Sequence, residues 1–156
     1  LAKNISVTRA EAKAFIDRYF ERYPGIRRYM DSAVAEGKEK GYVTTLMGRR
    51  RYLPELSSPN HNLRAFGERC AMNSPIQGTA ADIIKMAMIA VDRELRASGL
   101  RAKLILQVHD ELIVEAPEDE VERVKSLLRS CMEGVVQLKV PLKTDISVGG
   151  DWRACK

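Results

Sequence analysis

The sequence has few of the residues that build metal clusters or disulfide scaffolds. It contains 3 cysteines and 2 histidines in 156 residues, and no C-x-x-C pair occurs. A zinc cluster and a disulfide framework are therefore not expected, and this cysteine usage favours a reducing cytosol. The three cysteines are Cys70, Cys131 and Cys155.

Long apolar runs are also missing. No stretch approaches the roughly 18 to 20 consecutive apolar residues of a membrane span, and residues 1–4 begin no signal-peptide core. We therefore expect a soluble protein without a membrane partner. The Walker A, G-x-G-x-x-G and G-x-S-x-G motifs are absent too, which excludes the most familiar signatures of nucleotide-binding loops and serine hydrolases.

The composition that remains is typical of one ordinary globular domain, with 45% hydrophobic and 30% charged residues. The charge is distributed unevenly along the chain. Residues 1–77 hold 14 Lys or Arg against 8 Asp or Glu, whereas residues 78–156 hold 12 against 13. A basic first half favours a polyanionic partner, most often nucleic acid, although a solvated basic surface gives the same count.

The order of apolar and turn residues predicts helices interleaved with antiparallel hairpins, which is an α+β fold. Thr8 and Glu11 form a capping-box signature. Pro75 is expected to break or kink a helix because proline lacks the amide donor, with Thr79 and Asp82 capping the helix that follows. Helices are predicted over residues 8–23, 26–40, 62–73, 79–98 and 118–134, and strands over residues 42–46, 51–53, 104–108, 112–114 and 140–148. The helix over residues 79–98 is expected to bury Ile83, Ala87, Ala90, Val91 and Leu95 and to end at Gly99.

An acidic pair lies at the tip of the second predicted hairpin. His109, Asp110 and Glu111 stand where a two-residue turn normally favours Asn-Gly or Asp-Gly. Turn chemistry alone does not explain a His-Asp sequence at this position. Adjacent carboxylates on a rigid turn offer hard oxygen ligands for Mg²⁺, which binds through one or two protein carboxylates plus substrate phosphates. A charged surface turn without a ligand is the alternative.

A row of polar side chains spaced by four residues follows the first predicted hairpin. Arg69, Asn73 and Gln77 would place three hydrogen-bond donors on one helix face. The minor groove offers acceptors in nearly equivalent places at every base pair, so such donors can test duplex geometry without reading sequence. A solvated polar stripe beside a proline is the alternative.

Three consecutive arginines mark the first predicted hairpin. Arg49, Arg50 and Arg51 lie close in sequence to Lys38 and Lys40. Guanidinium groups bind phosphate oxygens in a bidentate manner, and phosphate contacts position a nucleic acid without specifying its sequence. An ordinary charged surface is the alternative for this cluster.

Three segments occur together in one order and spacing. They are residues 44–54 (TTLMGRRRYLP), residues 69–85 (RCAMNSPIQGTAADIIK) and residues 107–112 (QVHDEL), followed by residues 148–152 (VGGDW). In this combination they resemble the C-terminal part of the polymerase domain of family A DNA polymerases. The resemblance covers essentially the whole chain, and three motifs in register are far more specific than any one of them.

The resemblance implies a right-hand nucleotidyltransferase. Residues 1–100 would form the rear of the fingers and connecting helices, and residues 101–156 the palm hairpin, a helix and a final strand. Asp110 would bind a catalytic metal with Glu111 as an accessory carboxylate, and His109 would lie against the primer terminus. The DNA contacts implied are Arg69, Asn73 and Gln77 toward the template-primer minor groove and Arg49, Arg50 and Arg51 toward the template backbone.

The implied reaction is template-directed DNA synthesis in replication and repair, in which two Mg²⁺ ions assist phosphoryl transfer from deoxynucleoside triphosphates to a primer 3′ end. The resemblance places the second essential aspartate, and a helix that grips the triphosphate, before Leu1. Asp145 is no substitute because it follows the hairpin. We therefore expect a fragment that depends on the upstream remainder of its polypeptide, cannot extend a primer unaided, and works in the bacterial cytoplasm at the nucleoid.

Two other hypotheses come from different classes of protein. One is a non-catalytic DNA-binding fragment that keeps the basic surface without the chemistry. The other is self-association, because a palm separated from its partner strands exposes apolar surface and sheet edges. For DNA binding we expect weak, sequence-independent affinity that falls steeply with salt.

Overall fold

Helices and short antiparallel hairpins alternate along the chain, which confirms the predicted α+β class. A computed structural model describes residues 7–155, and the chain divides into two compact units, Leu1–Ile76 and Gln77–Lys156. Within residues 7–155 no helix combines the length and the apolar character needed to cross a membrane. The helices are α1 (Arg9–Arg22), α2 (Pro24–Lys40), α3 (His61–Ala97) and α4 (Val121–Glu133). The strands are β1 (Tyr42–Thr44), β2 (Arg50–Tyr52), β3 (Lys103–Val108) and β4 (Glu111–Glu115). Short 3-10 turns cover Pro54–Ser57, Glu118–Glu120 and Arg153–Cys155.

Local capping signals determine the ends of α1 and α2. The Thr8 hydroxyl accepts the Glu11 N–H at 3.2 Å, and the Glu11 carboxylate accepts the Thr8 N–H at 2.8 Å, so the predicted capping box is confirmed. Pro24 begins α2 two residues earlier than predicted, because proline suits the first helical turn, whose N–H has no helical partner. Gly41 ends α2 with a φ of +75°, a conformation that favours glycine.

The core of the first unit forms beneath the β1–β2 hairpin. Val43, Leu53, Leu56 and Ala71 are buried together. β1 is shorter than predicted because the turn uses Thr45 to Arg49, and β2 begins one residue earlier than predicted. The Thr45 N–H donates to the Arg49 carbonyl at 2.9 Å and the Thr45 hydroxyl accepts the Arg49 N–H at 3.1 Å. Gly48, with a φ of +82°, completes the turn.

The expected break at Pro75 is wrong. α3 is one helix of 37 residues with Pro75 inside it, and Thr79 and Asp82 therefore lie within α3 rather than at a cap. A proline removes one backbone donor and crowds the preceding turn. The Tyr29 hydroxyl donates to the Met72 carbonyl in that turn at 3.0 Å, so α2 supplies a hydrogen bond beside the proline.

The core of the second unit joins the C-terminal part of α3 to α4. Val91, Leu95, Ala102, Val124 and Leu128 are buried together. The predicted apolar stripe is confirmed at Ala87, Val91 and Leu95, which are buried. Ile84 is buried in place of its predicted neighbour Ile83, which is half-buried. Gly99 ends this region with a φ of +64°.

The predicted strand over residues 140–148 is wrong, because no strand in residues 7–155 pairs with this segment. Burial nevertheless alternates along it. Leu142, Thr144 and Ile146 are half-buried while their neighbours are exposed, and Ile146 packs against the second core. The Thr144 N–H donates to the Glu133 carboxylate at 2.9 Å. The alternation thus predicted which side chains turn inward, but a strand also needs a hydrogen-bonded neighbour.

A buried carboxylate fixes the start of β3 against the 3-10 turn at Glu118–Glu120. Glu120 is 8% exposed and accepts the N–H groups of Arg101 and Ala102, each at 3.0 Å to Oε2, and the Arg101 Nε at 3.1 Å. Burial by itself raises the pKa of Glu120, but these hydrogen bonds outweigh burial and hold the pKa below its ordinary value of 4.5. The charged form is therefore the one that the fold stabilises.

We expect Glu120→Gln to lower the stability of the chain at pH 7 and to weaken the dependence of stability on acid. A carboxyl whose folded pKa is depressed stabilises the fold above its unfolded pKa of about 4.5, and this contribution is lost as the pH falls through the folded pKa. Urea unfolding at pH 7 and at successive values below pH 4.5 measures both effects. Glu118→Gln, an exposed carboxylate on the same turn, is the control. Parallel acid profiles for the wild type and Glu120→Gln would contradict the assignment.

Candidate functional site

The β3–β4 hairpin carries its acidic residues on a two-residue turn. Val108 pairs with Glu111 across the strands, which leaves His109 and Asp110 as the turn itself. His109 has a φ of +52°, and it is the one non-glycine residue among residues 7–155 with a positive φ. The Gln107 side-chain amide donates to the His109 carbonyl at 2.6 Å and holds this conformation. The sequence motif thus occupies a strained, well-defined turn.

Asp110 and Glu111 are exposed at this turn, and neither carboxylate forms an ion pair within residues 7–155. Mg²⁺ needs hard oxygen ligands from one or two carboxylates and completes its shell with water and phosphates, so the pair fits a partial magnesium site. No group of three His, Cys, Asp or Glu side chains within the described residues could hold an ion alone. A complete site at this turn requires ligands from another part of a polypeptide or from a substrate.

The polar row predicted on one helix lies on α3. Arg69 and Asn73 in the first unit are exposed, and so is Gln77, which opens the second unit. None of the three side chains makes a hydrogen bond to another of residues 7–155, so their donors remain available for a ligand. The Arg69 guanidinium lies 5.9 Å from the centre of the Phe66 ring, which partly orients it.

The arginine triplet is divided between the two faces of its hairpin. The Arg50 guanidinium lies 4.6 Å from the Tyr42 ring centre on one face. Arg51 pairs with the buried Val43 on the other face and reaches the Cys70 sulfur at 3.7 Å from Nη2. Successive strand residues point to opposite faces, so the structure does not bring the triplet together as one cluster.

The two lysines near the triplet in sequence are already paired. Lys38 Nζ lies 2.6 Å from the Glu68 carboxylate and joins α2 to α3, and this bond holds the pKa of Glu68 below its ordinary value. Lys40 Nζ lies 2.6 Å from the Glu36 carboxylate. The basic surface of the first unit therefore depends on its arginines more than on these lysines.

Two residues beside the candidate positions give little signal in the sequence. Tyr29 donates to the α3 backbone one residue before Asn73. Its contact spans 43 residues of chain, and no local spacing indicates it. Gln107 supports the strained turn, and its place in the QVHDEL motif was the one available signal.

Comparison with known proteins gives consistent results. The chain matches the family model described as DNA polymerase family A over residues 1–154. It is 56% identical over 156 residues to the DNA polymerase I of Bacillus caldotenax and 55% identical to that of Bacillus subtilis. Both matches cover 100% of this chain, which spans 18% of the length of each of these relatives.

A solved structure is also similar. It is described as the POL domain of Pol1 from M. smegmatis in complex with DNA primer-template and dNTP. The TM-score is 0.96 and the sequence identity is 44%, and the match covers 99% of this chain and 27% of that chain.

We expect His109→Gly to raise the free energy of unfolding by about 1 kcal/mol, because glycine adopts a positive φ without the strain that a side chain imposes. The same change is expected to impair whatever function the imidazole serves. Thermal unfolding measures the first effect. Asp110→Gly is the control, because Asp110 has no positive φ and the added glycine flexibility should destabilise the turn. Equal destabilisation by both variants would show that the turn at His109 stores no strain.

Proposed function

The chain belongs to DNA polymerase family A, and from this membership we propose that it carries part of the active site of an enzyme that extends a primer 3′ end along a DNA template. The observation that carries the proposal is the exposed, strained hairpin turn at Asp110. A backbone held in a sparsely populated conformation is characteristic of functional positions. His109, the residue before Asp110, holds that conformation with a side chain, although glycine adopts it without steric cost.

The turn would act by holding divalent cations against a substrate. Asp110 would be the main protein ligand, with Glu111 as an accessory carboxylate. When bound, two Mg²⁺ ions supply charge neutralisation on the triphosphate and activation of the primer hydroxyl. Because residues 7–155 add no third acidic or histidine ligand, the second essential carboxylate would come from the remainder of the polypeptide.

Residues on and beside α3 would hold the template-primer. Arg69, Asn73 and Gln77 would donate to acceptors in the minor groove, where base pairs of correct geometry present them in nearly equivalent places. Their exposure and their unused donors support this role. Arg50 would contact the template backbone, together with its neighbours in the arginine triplet, Arg49 and Arg51. His109 would lie against the primer terminus.

The same proposal assigns regions and partners. Residues 1–100 would belong to the rear of the fingers and residues 101–156 to the palm. Template-primer DNA, deoxynucleoside triphosphates and the remainder of the polymerase polypeptide would be the partners. The enzyme would act in the bacterial cytoplasm at the nucleoid. The 156-residue chain by itself would not extend a primer.

We expect Asp110→Asn to lower the rate of Mg²⁺-dependent primer extension about a hundredfold or more in the full polypeptide that carries this chain, with little change in DNA affinity. Loss of a metal ligand removes several kcal/mol of transition-state stabilisation. Single-turnover extension and a binding titration with the same primer-template separate the two effects. Asp145→Asn, an exposed aspartate after the hairpin, is the matched control. An unchanged extension rate in Asp110→Asn would leave non-catalytic DNA binding as the function.

We expect Arg50→Ala to weaken duplex binding equally for unrelated DNA sequences and to reduce the slope of log affinity against log salt by about 1. A phosphate contact releases condensed counterions but reads no base. Binding measured at several salt concentrations with two unrelated duplexes tests this. Arg96→Ala is the control, because Arg96 is an exposed arginine paired with Asp92 on the C-terminal part of α3. A salt slope equal to that of the wild type would show that Arg50 makes no phosphate contact.

A further inference from the structure

The hydrogen bond from Tyr29 to α3 lies at the point where the helix is weakest. Pro75 has no backbone N–H, so the carbonyl of Ala71, four residues earlier, loses its helical donor. Ala71 is fully buried in the first core. The Met72 carbonyl is the next acceptor along the same turn, and it receives the Tyr29 hydroxyl at 3.0 Å. A side chain of α2 thus bonds to the turn that proline weakens, at the carbonyl next to the one that has lost its donor.

A pocket of about 170 Å³, open to solvent, lies beside this contact and is lined by residues of α2 and β1 together with Pro75. Side chains that face a pocket have fewer packing neighbours on that side, so a directed hydrogen bond contributes more to the position of the turn. The residues that line the pocket are Tyr29, Ser32, Ala33, Glu36, Val43, Thr44 and Pro75.

We propose that Tyr29 is a positioning residue for recognition of the primer terminus, acting through the Met72 carbonyl to fix the segment of α3 that presents Arg69 and Asn73. Asn73 follows Met72 directly, and Arg69 lies one helical turn before it. Both side chains are exposed, and Tyr29 itself is half-buried beneath the helix. The inference rests on the proposed function, because it assigns those two residues to the minor groove.

Rigidity at this segment has a chemical purpose. Donors that report base-pair geometry discriminate only if they cannot follow a displaced acceptor. A loosened turn would let Asn73 adapt to a mispaired primer terminus, so mismatched termini would be extended faster. Extension from a matched terminus would change little, because the donors already fit it.

The test compares Tyr29→Phe with the wild type in the full polypeptide that carries this chain. The substitution removes one hydroxyl and keeps the ring. We expect the ratio of matched to mismatched primer extension to fall about fivefold, which is the size of one net hydrogen bond. The KM for the incoming nucleotide and the matched kcat should stay near their wild-type values. Tyr19→Phe, which removes a hydroxyl from an exposed tyrosine of α1, is the matched control and should leave the ratio unchanged.

A double-mutant cycle with Asn73→Ala identifies the cause. If Tyr29 acts by positioning Asn73, removal of the Tyr29 hydroxyl should have less effect once the Asn73 amide is gone. A fivefold loss that vanishes in Asn73→Ala supports the proposal. An unchanged ratio in Tyr29→Phe, or an equal loss in both backgrounds, would overturn it.

Amide hydrogen exchange gives a readout that needs no activity. In Tyr29→Phe the amides of residues 72–74, 76 and 77 should exchange faster than in the wild type, whereas those of β3 and β4 should not change. Equal exchange at these amides of α3 would overturn the inference even if synthesis were normal. Absence of primer extension by the wild type would instead contradict the proposed function. The exchange result would still test whether Tyr29 holds this segment of α3.

Discussion

Both cores of this chain are built on one helix, and that helix has to accommodate a proline. Ala71 belongs to the core of the first unit, and Val91 and Leu95 belong to the core of the second. A break at Pro75 would separate these positions into independent elements. The turn before Pro75 is also bonded from a different helix, because the Tyr29 hydroxyl donates to the Met72 carbonyl. The fold's main helix is held partly by a contact from outside itself.

Features that depend on neighbouring residues could be predicted from the sequence. The capping box at Thr8, the left-handed glycines Gly41 and Gly99 and the two hairpins each follow from a few adjacent side chains. Features that depend on distant partners could not be predicted from the sequence. The turn before Pro75 is bonded to Tyr29, which lies 43 residues before Met72 in the chain. The segment over residues 140–148 has the burial pattern of a strand but no pairing strand within the described residues.

The candidate site likewise has one part that the sequence predicts, the hairpin tip, and one part that it does not, the placement of the arginines. The sequence motif at Asp110 predicted the hairpin tip and its exposed carboxylates, because a turn is a local structure and its composition is unusual. Three consecutive arginines predict one cluster, whereas strand alternation sends Arg50 toward Tyr42 and Arg51 toward Cys70. Which side of a short strand faces the core is decided by tertiary packing, and three consecutive arginines give no periodic signal for it.

The pairing of strands has a consequence for how the chain folds. Within residues 7–155, β1 pairs only with β2 and β3 only with β4, so each sheet closes a short loop of consecutive chain. Such contacts cost little loop entropy, and proteins dominated by them reach the native state rapidly. Each hairpin therefore sets its own register without a distant strand, and the β3–β4 hairpin is stabilised by packing against the second core. The acidic turn is thus shaped by consecutive residues and does not need a ligand or substrate to organise it.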